Sequence, residues 1–95
     1  MVWGVTYHPD VRGDLDSIGP AEARRILKVV EERIIAGSPD KTGKPLSGNL
    51  AGCRRIRAGS YRIIYKVNGN SVEVLILGVG PRRNKEVYKN AGKRT

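Results

Sequence analysis

Residues 50–67, LAGCRRIRAGSYRIIYKV, constrain this chain more than any other stretch. They read as two strands joined by a short turn at 58–60. Side chains alternate across a strand, so Arg55 and Arg57 leave one face while Ile56 enters the core. The second strand carries Arg62 and Lys66. Cations collected on one face repel one another, and the arrangement makes sense where a polyanion supplies the missing charge. The whole chain leans the same way: 18 Lys and Arg against 9 Asp and Glu leave +9 at pH 7. That excess favours nucleic acid, an anionic membrane or an acidic protein as partner.

The rest of the chain supplies the scaffold. Residues 2–7, VWGVTY, suit a first strand. Pro9 breaks it and is placed to open a short helix over 10–17, with Val11, Leu15 and Ile18 as its apolar side. Gly19-Pro20 starts a second helix over 20–36. Its stripe is Ala23, Leu27, Val30 and Ile34, widened by Ile26 and Val29, and Gly37 ends it. Residues 38–49 form a loop with a brief extended piece at 44–46. Asn68-Gly69 predicts a two-residue type I′ hairpin turn. Residues 71–79, SVEVLILGV, suit a central strand covered on both sides, ended by Gly80-Pro81. Residues 83–91 predict a closing helix and 93–95 a frayed tail. The expected fold is α+β, one domain over 1–95. A helix hairpin packs on a small, mainly antiparallel sheet in the order β-α-α-β-β-β, with a C-terminal helical segment. The helix hairpin covers one sheet face and leaves the other for the cations.

Ninety-five residues bury roughly 60–65% of their unfolded surface, enough for one modest core. Phenylalanine is absent, so Leu, Ile and Val carry the packing. A lone cysteine, Cys53, excludes an internal disulfide, offers no metal cluster and reads as a small buried hydrophobe. With no signal peptide and no long apolar run, the chain reads as a cytoplasmic protein without membrane contact.

A second basic cluster follows the apolar strand, at 80–88, GPRRNKEVY. CRRIRAGSYRIIYKV, then VEVLILGVGPRRNKEVYKNA, resembles the second half of RelE-type toxins of the RelE/ParE superfamily, and KPLSGNLAG resembles their loop into the hairpin. The similarity covers most of the chain and is sharpest over 44–91. It implies the toxin of a type II toxin–antitoxin system. Such a toxin is a ribosome-dependent endoribonuclease that cuts mRNA in the ribosomal A site, and its partners are the ribosome, mRNA and a cognate acidic antitoxin. It implies no metal and no small-molecule cofactor: the 2′-hydroxyl attacks the adjacent phosphorus and the 5′-oxygen leaves. The family's two basic residues flanking the hairpin isoleucine fall on Arg55 and Arg57. The arginine after the strand tyrosine falls on Arg62, the arginine after V-G-x on Arg82, and the C-terminal tyrosine on Tyr88. Arg54, Lys66, Arg83 and Lys85 are the candidate RNA contacts, although Arg83 and Lys85 also serve simply to solubilise a helix.

These residue types suit the chemistry. In-line attack concentrates negative charge on a pentacoordinate phosphorus, which fixed guanidinium groups stabilise through a planar fork. Arg62 and Arg82 take that role, Arg82 at the leaving oxygen. Arginine does not give up its proton near neutrality, and several family members carry lysine where this chain has Arg55 and Arg57. The departure moves the base towards Tyr88, whose pKa a cationic cluster lowers, or leaves much of the rate to positioning by the ribosome.

Plainer roles stand beside each of these. Arg55 and Arg57 alone describe a solvated sheet face; Arg82 caps a strand; Tyr88 packs a terminal helix. Tyr61 and Tyr65 alternate with Arg62 and read as packing residues, or as platforms for a base. His8, at a strand-to-helix turn, has no partner carboxylate in the motif set. A ParE-like toxin, which binds DNA gyrase and cuts no RNA, is the alternative on the same fold. A plain nucleic-acid-binding module ranks behind both, lacking an aromatic platform or a recognition helix.

Overall fold

The computed structural model describes residues 3–81 and 85–95. Its elements run β1 (Gly4–Tyr7), α1 (Val11–Ile18), α2 (Pro20–Val30), β2 (Lys44–Pro45), β3 (Cys53–Ala58), β4 (Tyr61–Asn68), β5 (Glu73–Pro81) and α3 (Glu86–Arg94). One sheet has the strand order β1-β5-β4-β3-β2. Its pairings are antiparallel except β1 with β5, which run parallel; the α1–α2 hairpin carries the chain from β1 to β2 at the opposite edge of the sheet. The α+β architecture and the element order read from the sequence both hold, and the extended piece at Lys44–Pro45 adds an outer strand.

Alternation along β3 and β4 divides their side chains between two layers. Ile56, Ala58, Ile63 and Tyr65 face the helix hairpin, where they pack with Val11, Ile26, Val30 and Ile34. Each fully buried Ile or Val contributes about 1.5–3 kcal/mol relative to exposure. Tyr65 is fully buried there, and its hydroxyl donates to the carbonyls of Pro39 and Thr42, which ties down the loop before β2. Tyr61 lies partly buried on the same side. Both tyrosines therefore point away from Arg62, which removes them as base platforms beside it.

The other face is not left to the cations alone. A second core forms there from Leu50, Cys53, Ile64, Leu77, Val87 and Ala91, with α3 as its cover. The near-continuous apolar run of β5 serves both cores: Val74, Ile76 and Val79 face one, Leu75 and Leu77 the other. A bulge resets the alternation, since Ile64 pairs with Gly78 but Tyr65 with Ile76, leaving Leu77 as the extra residue. Gly78 and Gly80 then both lie under α3. A Cβ built on Gly80 would sit 2.9 Å from the Val87 Cβ, so the helix approaches the strand as closely as it does because that position is glycine.

Several local expectations are corrected. The buried stripe of α2 is Ile26, Val30 and Ile34, whereas Leu27 is 40% exposed. Leu27 lines the seam between α1 and α2 with Val11 and Leu15. The helix also changes pitch after Val30, closing with a π turn over Glu31–Ile35. Helix α1 runs Val11–Ile18 rather than 10–17, with Pro9 in the turn ahead of it, where His8 accepts the Asp10 N–H on Nδ1 at 3.1 Å. Asn68 pairs with Glu73, so the β4–β5 connection has four residues rather than the predicted two. Positive φ falls on Val72 (54°), not on Asn68 or Gly69, and the Asn68 side chain instead accepts the Asn70 N–H at 3.2 Å. The closing helix begins at Glu86 and runs through Arg94, where a frayed tail was expected.

Candidate active site

Strand β3 places Arg55 and Arg57 on the α3 face because Ile56 between them is drawn into the hairpin core, where it is 2% exposed. Strand β4 places Arg62 on the same face, flanked by Ile63 in that same core. The ladder sets Arg57 directly opposite Arg62, and Arg55 opposite Ile64. Helix α3 crosses above them on Val87 and Ala91, and Tyr88 follows Val87 into the gap.

Tyr88 is where these elements meet. Arg55 Nη1 donates to the Tyr88 hydroxyl at 3.0 Å, and Arg62 Nη1 donates to the same oxygen. The Arg62 guanidinium carbon also lies 5.6 Å from the centre of the Tyr88 ring, a cation–π distance. Burial alone would raise the phenol's pKa. The hydrogen bonds and charges of Arg55 and then Arg62 outweigh it and hold the group below the ordinary tyrosine value. Arg55 Nε and Arg62 Nε are buried N–H donors without partners among the described residues. Two guanidiniums gathered under a phenol whose pKa they lower make a cationic site that suits a phosphodiester.

The other predicted residues divide. Arg57 is exposed at the open side of the cluster. Lys66 is exposed on the same face, four residues further along β4, which is roughly 13 Å. Lys85 is exposed at the start of α3. Arg54 leaves the group: it faces the helix-hairpin side, where its guanidinium donates to the Thr42 carbonyl at 2.7 Å and the Gly43 carbonyl at 3.2 Å. Its neighbours Arg55 and Arg57 have the opposite parity on the strand, and that alone separates them. Arg82 and Arg83 lie outside the described residues. Cys53 is 1% exposed, and burial pushes its thiol pKa up, as expected of a packing residue.

Sequence reasoning missed Asp14 and Arg94. Arg94 forms a two-pronged ion pair with Asp14, with Nη1 to Oδ2 at 2.7 Å and Nη2 to Oδ1 at 3.1 Å. A basic residue near a chain end and an aspartate on a short helix give no local sign of each other.

A five-stranded sheet covered by helices on both faces, with an arginine-held tyrosine under α3, defines a small α+β protein with a cationic site. Residues 5–86 match the family described as the ParE toxin of the type II toxin–antitoxin system parDE. The chain is 34% identical over 92 residues to the toxin RelG of Mycobacterium tuberculosis, covering 94% of this chain and 99% of that protein. It is 32% identical over 89 residues to the mRNA interferase toxin RelE of Escherichia coli, covering 85% and 93%. Among solved structures, the fold is similar to a toxin–antitoxin complex of Mycobacterium tuberculosis, with TM-score 0.79, 27% identity and coverage of 88% and 95%. It is also similar to a mutant of the Escherichia coli toxin RelE in the free state, with TM-score 0.78, 26% identity and coverage of 99% and 98%. The chain belongs to the RelE/ParE superfamily of type II toxins, as a RelE-type member. No helix among the described residues is long and apolar enough to cross a membrane.

Proposed function

We propose that this toxin is a ribosome-dependent endoribonuclease that cuts mRNA by attack of a 2′-hydroxyl on the adjacent phosphorus. The observation that carries the reading is the Tyr88 hydroxyl held by Arg55 and Arg62. Both guanidiniums donate to the phenol oxygen, which stabilises its anionic form. An arriving phosphate competes for those same N–H groups, and as one arginine turns to it a lone pair on the Tyr88 oxygen is freed. In molecules whose Tyr88 has already given its own proton to solvent, the phenolate then takes the 2′-hydroxyl proton. The 2′-oxygen bonds to phosphorus, the bond to the 5′-oxygen breaks, and a cyclic phosphate and a 5′-hydroxyl result. Arg55, Arg57 and Arg62 stabilise the charge that builds on the phosphoryl oxygens. Arg82 takes the same role at the leaving oxygen, which is protonated from water. Lys66, Arg83 and Lys85 contact the RNA backbone around the site.

The relatives support this reading, since one is an mRNA interferase and solved neighbours are toxins in complex with an antitoxin. An acidic antitoxin is the matching partner for a +9 surface, and it acts in the cytoplasm, where ribosomes are. The test is expression without a partner. Growth arrest with mRNA ends inside reading frames, mapped by primer extension and dependent on translation, supports the nuclease. Intact mRNA with broken or stalled chromosomes supports gyrase inhibition instead.

A further inference from the structure

The Lys85 side chain makes no capping hydrogen bond to α3, and Val87 and Ala91 are the buried residues of the helix. A helix of this length gains little from its own propensity, so contacts must set its depth and rotation. Val87, Ala91 and Arg94 share one stripe, at spacings of four and three. The first two press on the sheet. Arg94 ends the stripe, with a side chain only 12% exposed against 13% for Asp14.

The ion pair is also built into the sheet. Strand β1 stops at Tyr7, opposite Ile76, and the His8 N–H closes on the Ile76 carbonyl. Beyond that point β5 has no strand on this edge. Its next edge groups are met by side chains instead. Arg94 Nη1 donates to the Leu77 carbonyl at 3.0 Å, and Asp14 Oδ2 accepts the Val79 N–H at 3.1 Å. Asp10 adds a looser contact, 3.8 Å from Arg94 Nε. The pair thus ties α1, β5 and α3 together at one point.

We propose that Asp14 and Arg94 are positioning residues that lock the rotation of α3 and thereby place the Tyr88 hydroxyl on Arg55 and Arg62. The consequence for the reaction rests on the nuclease reading. The lever is long: side chains reach about 5–6 Å from a helix axis, so a rotation of about 20° sweeps their tips by about 2 Å. A displacement of about 1 Å in a reacting group costs on the order of 10²-fold in rate. Arginine's rigid fork, held by both carboxylate oxygens and a carbonyl, resists that rotation where a single-point contact does not.

Two substitutions test this in the full chain. Arg94→Lys keeps the charge and loses the fork. Asp14→Asn keeps an acceptor for Val79 and loses the charge. Each is assayed for folding by thermal melting, for cleavage on mRNA-programmed ribosomes, and for Tyr88 ionisation by NMR of ¹³C-labelled tyrosine across pH. Among the described residues, the charged groups that hydrogen-bond the Tyr88 hydroxyl are Arg55 on β3 and Arg62 on β4, so its titration reads its seat on them. The expected result is a folded variant in which kcat falls at least tenfold, KM stays within about twofold, and the Tyr88 midpoint moves up. A folded variant with the Tyr88 midpoint unchanged overturns the proposal, whatever its kcat. Loss of activity that only tracks loss of fold in both variants overturns it too, and leaves a stability clamp. A midpoint that moves while kcat holds leaves the positioning intact and removes proton transfer from Tyr88.

Discussion

Arg57 and Arg62 stand directly opposite each other across β3 and β4, two guanidiniums on one rung of the ladder. Like charges so placed oppose strand pairing. Arg62 has the Tyr88 hydroxyl as a partner, while Arg57 is exposed. Arg57→Gln should therefore stabilise the fold, by about 0.2–1 kcal/mol at low salt, while slowing cleavage. Urea unfolding at low and high ionic strength checks this. The gain should fade near 1 M salt as the repulsion is screened, and a loss of stability on substitution would contradict it.

Tyr88→Phe removes a hydroxyl and keeps the ring. Cleavage on programmed ribosomes should fall by about 10²–10⁴-fold with ribosome affinity close to normal. Arg55→Lys keeps a cation within reach of the phenol and supplies the residue type that the family resemblance leads one to expect there, so activity should hold or rise. A wild-type rate for Tyr88→Phe would make Tyr88 a packing residue.

The pH dependence has a definite sign. Burial opposes ionisation of Tyr88, but Arg55 and Arg62 prevail and lower its pKa from 10.0. The rising limb of the rate profile should sit below pH 10, and Arg55→Gln or Arg62→Gln should move it up. Stability follows by linkage. A lowered folded value means that ionised Tyr88 contributes fully above its unfolded pKa and loses that contribution as pH falls through the folded one. Tyr88→Phe should then cost stability at alkaline pH and much less at neutrality. Denaturant titrations at pH 7 and above pH 10 distinguish this from a cost that is constant with pH.

Gly80→Ala places a methyl 2.9 Å from the Val87 Cβ. Helix α3 must lift, at a cost of about 1–3 kcal/mol, and carry Tyr88 off its arginines. Melting temperature and cleavage should fall together. An unchanged melting temperature would mean that α3 is docked more loosely than the contact implies.

Binding of single-stranded RNA should weaken steeply with salt if Arg55, Arg57, Arg62 and Arg82 contact phosphates. About four contacts give a slope of roughly −3 in log K against log salt. A filter-binding titration measures it, and a slope near zero would remove the phosphate contacts.

The basic hairpin was legible in the sequence because strand parity is local. Ile56 must go into the core, so Arg55 and Arg57 must leave on the opposite face; the same parity parts Arg54 from them, although the sequence offers Arg54 as a candidate RNA contact. The two-sided demand of β5 was legible too, from its unbroken apolar run. The stripe of α2 was not: Ile26 and Leu27 are adjacent and equally apolar, and only docking against α1 and the sheet decides which is buried. The turn at Asn68-Gly69 yielded to register, because pairing Asn68 with Glu73 overrides a two-residue preference. The second core needed α3 in place, and α3 needed glycines and an ion pair far away in the chain. Resemblance named Tyr88, but its seat depends on Arg55, Arg62 and the lock between Asp14 and Arg94. The chain alone determined which residues share a strand face, since that follows from backbone geometry at neighbouring positions. Which faces meet was decided by tertiary packing, since it depends on how buried surfaces from distant segments fill one volume.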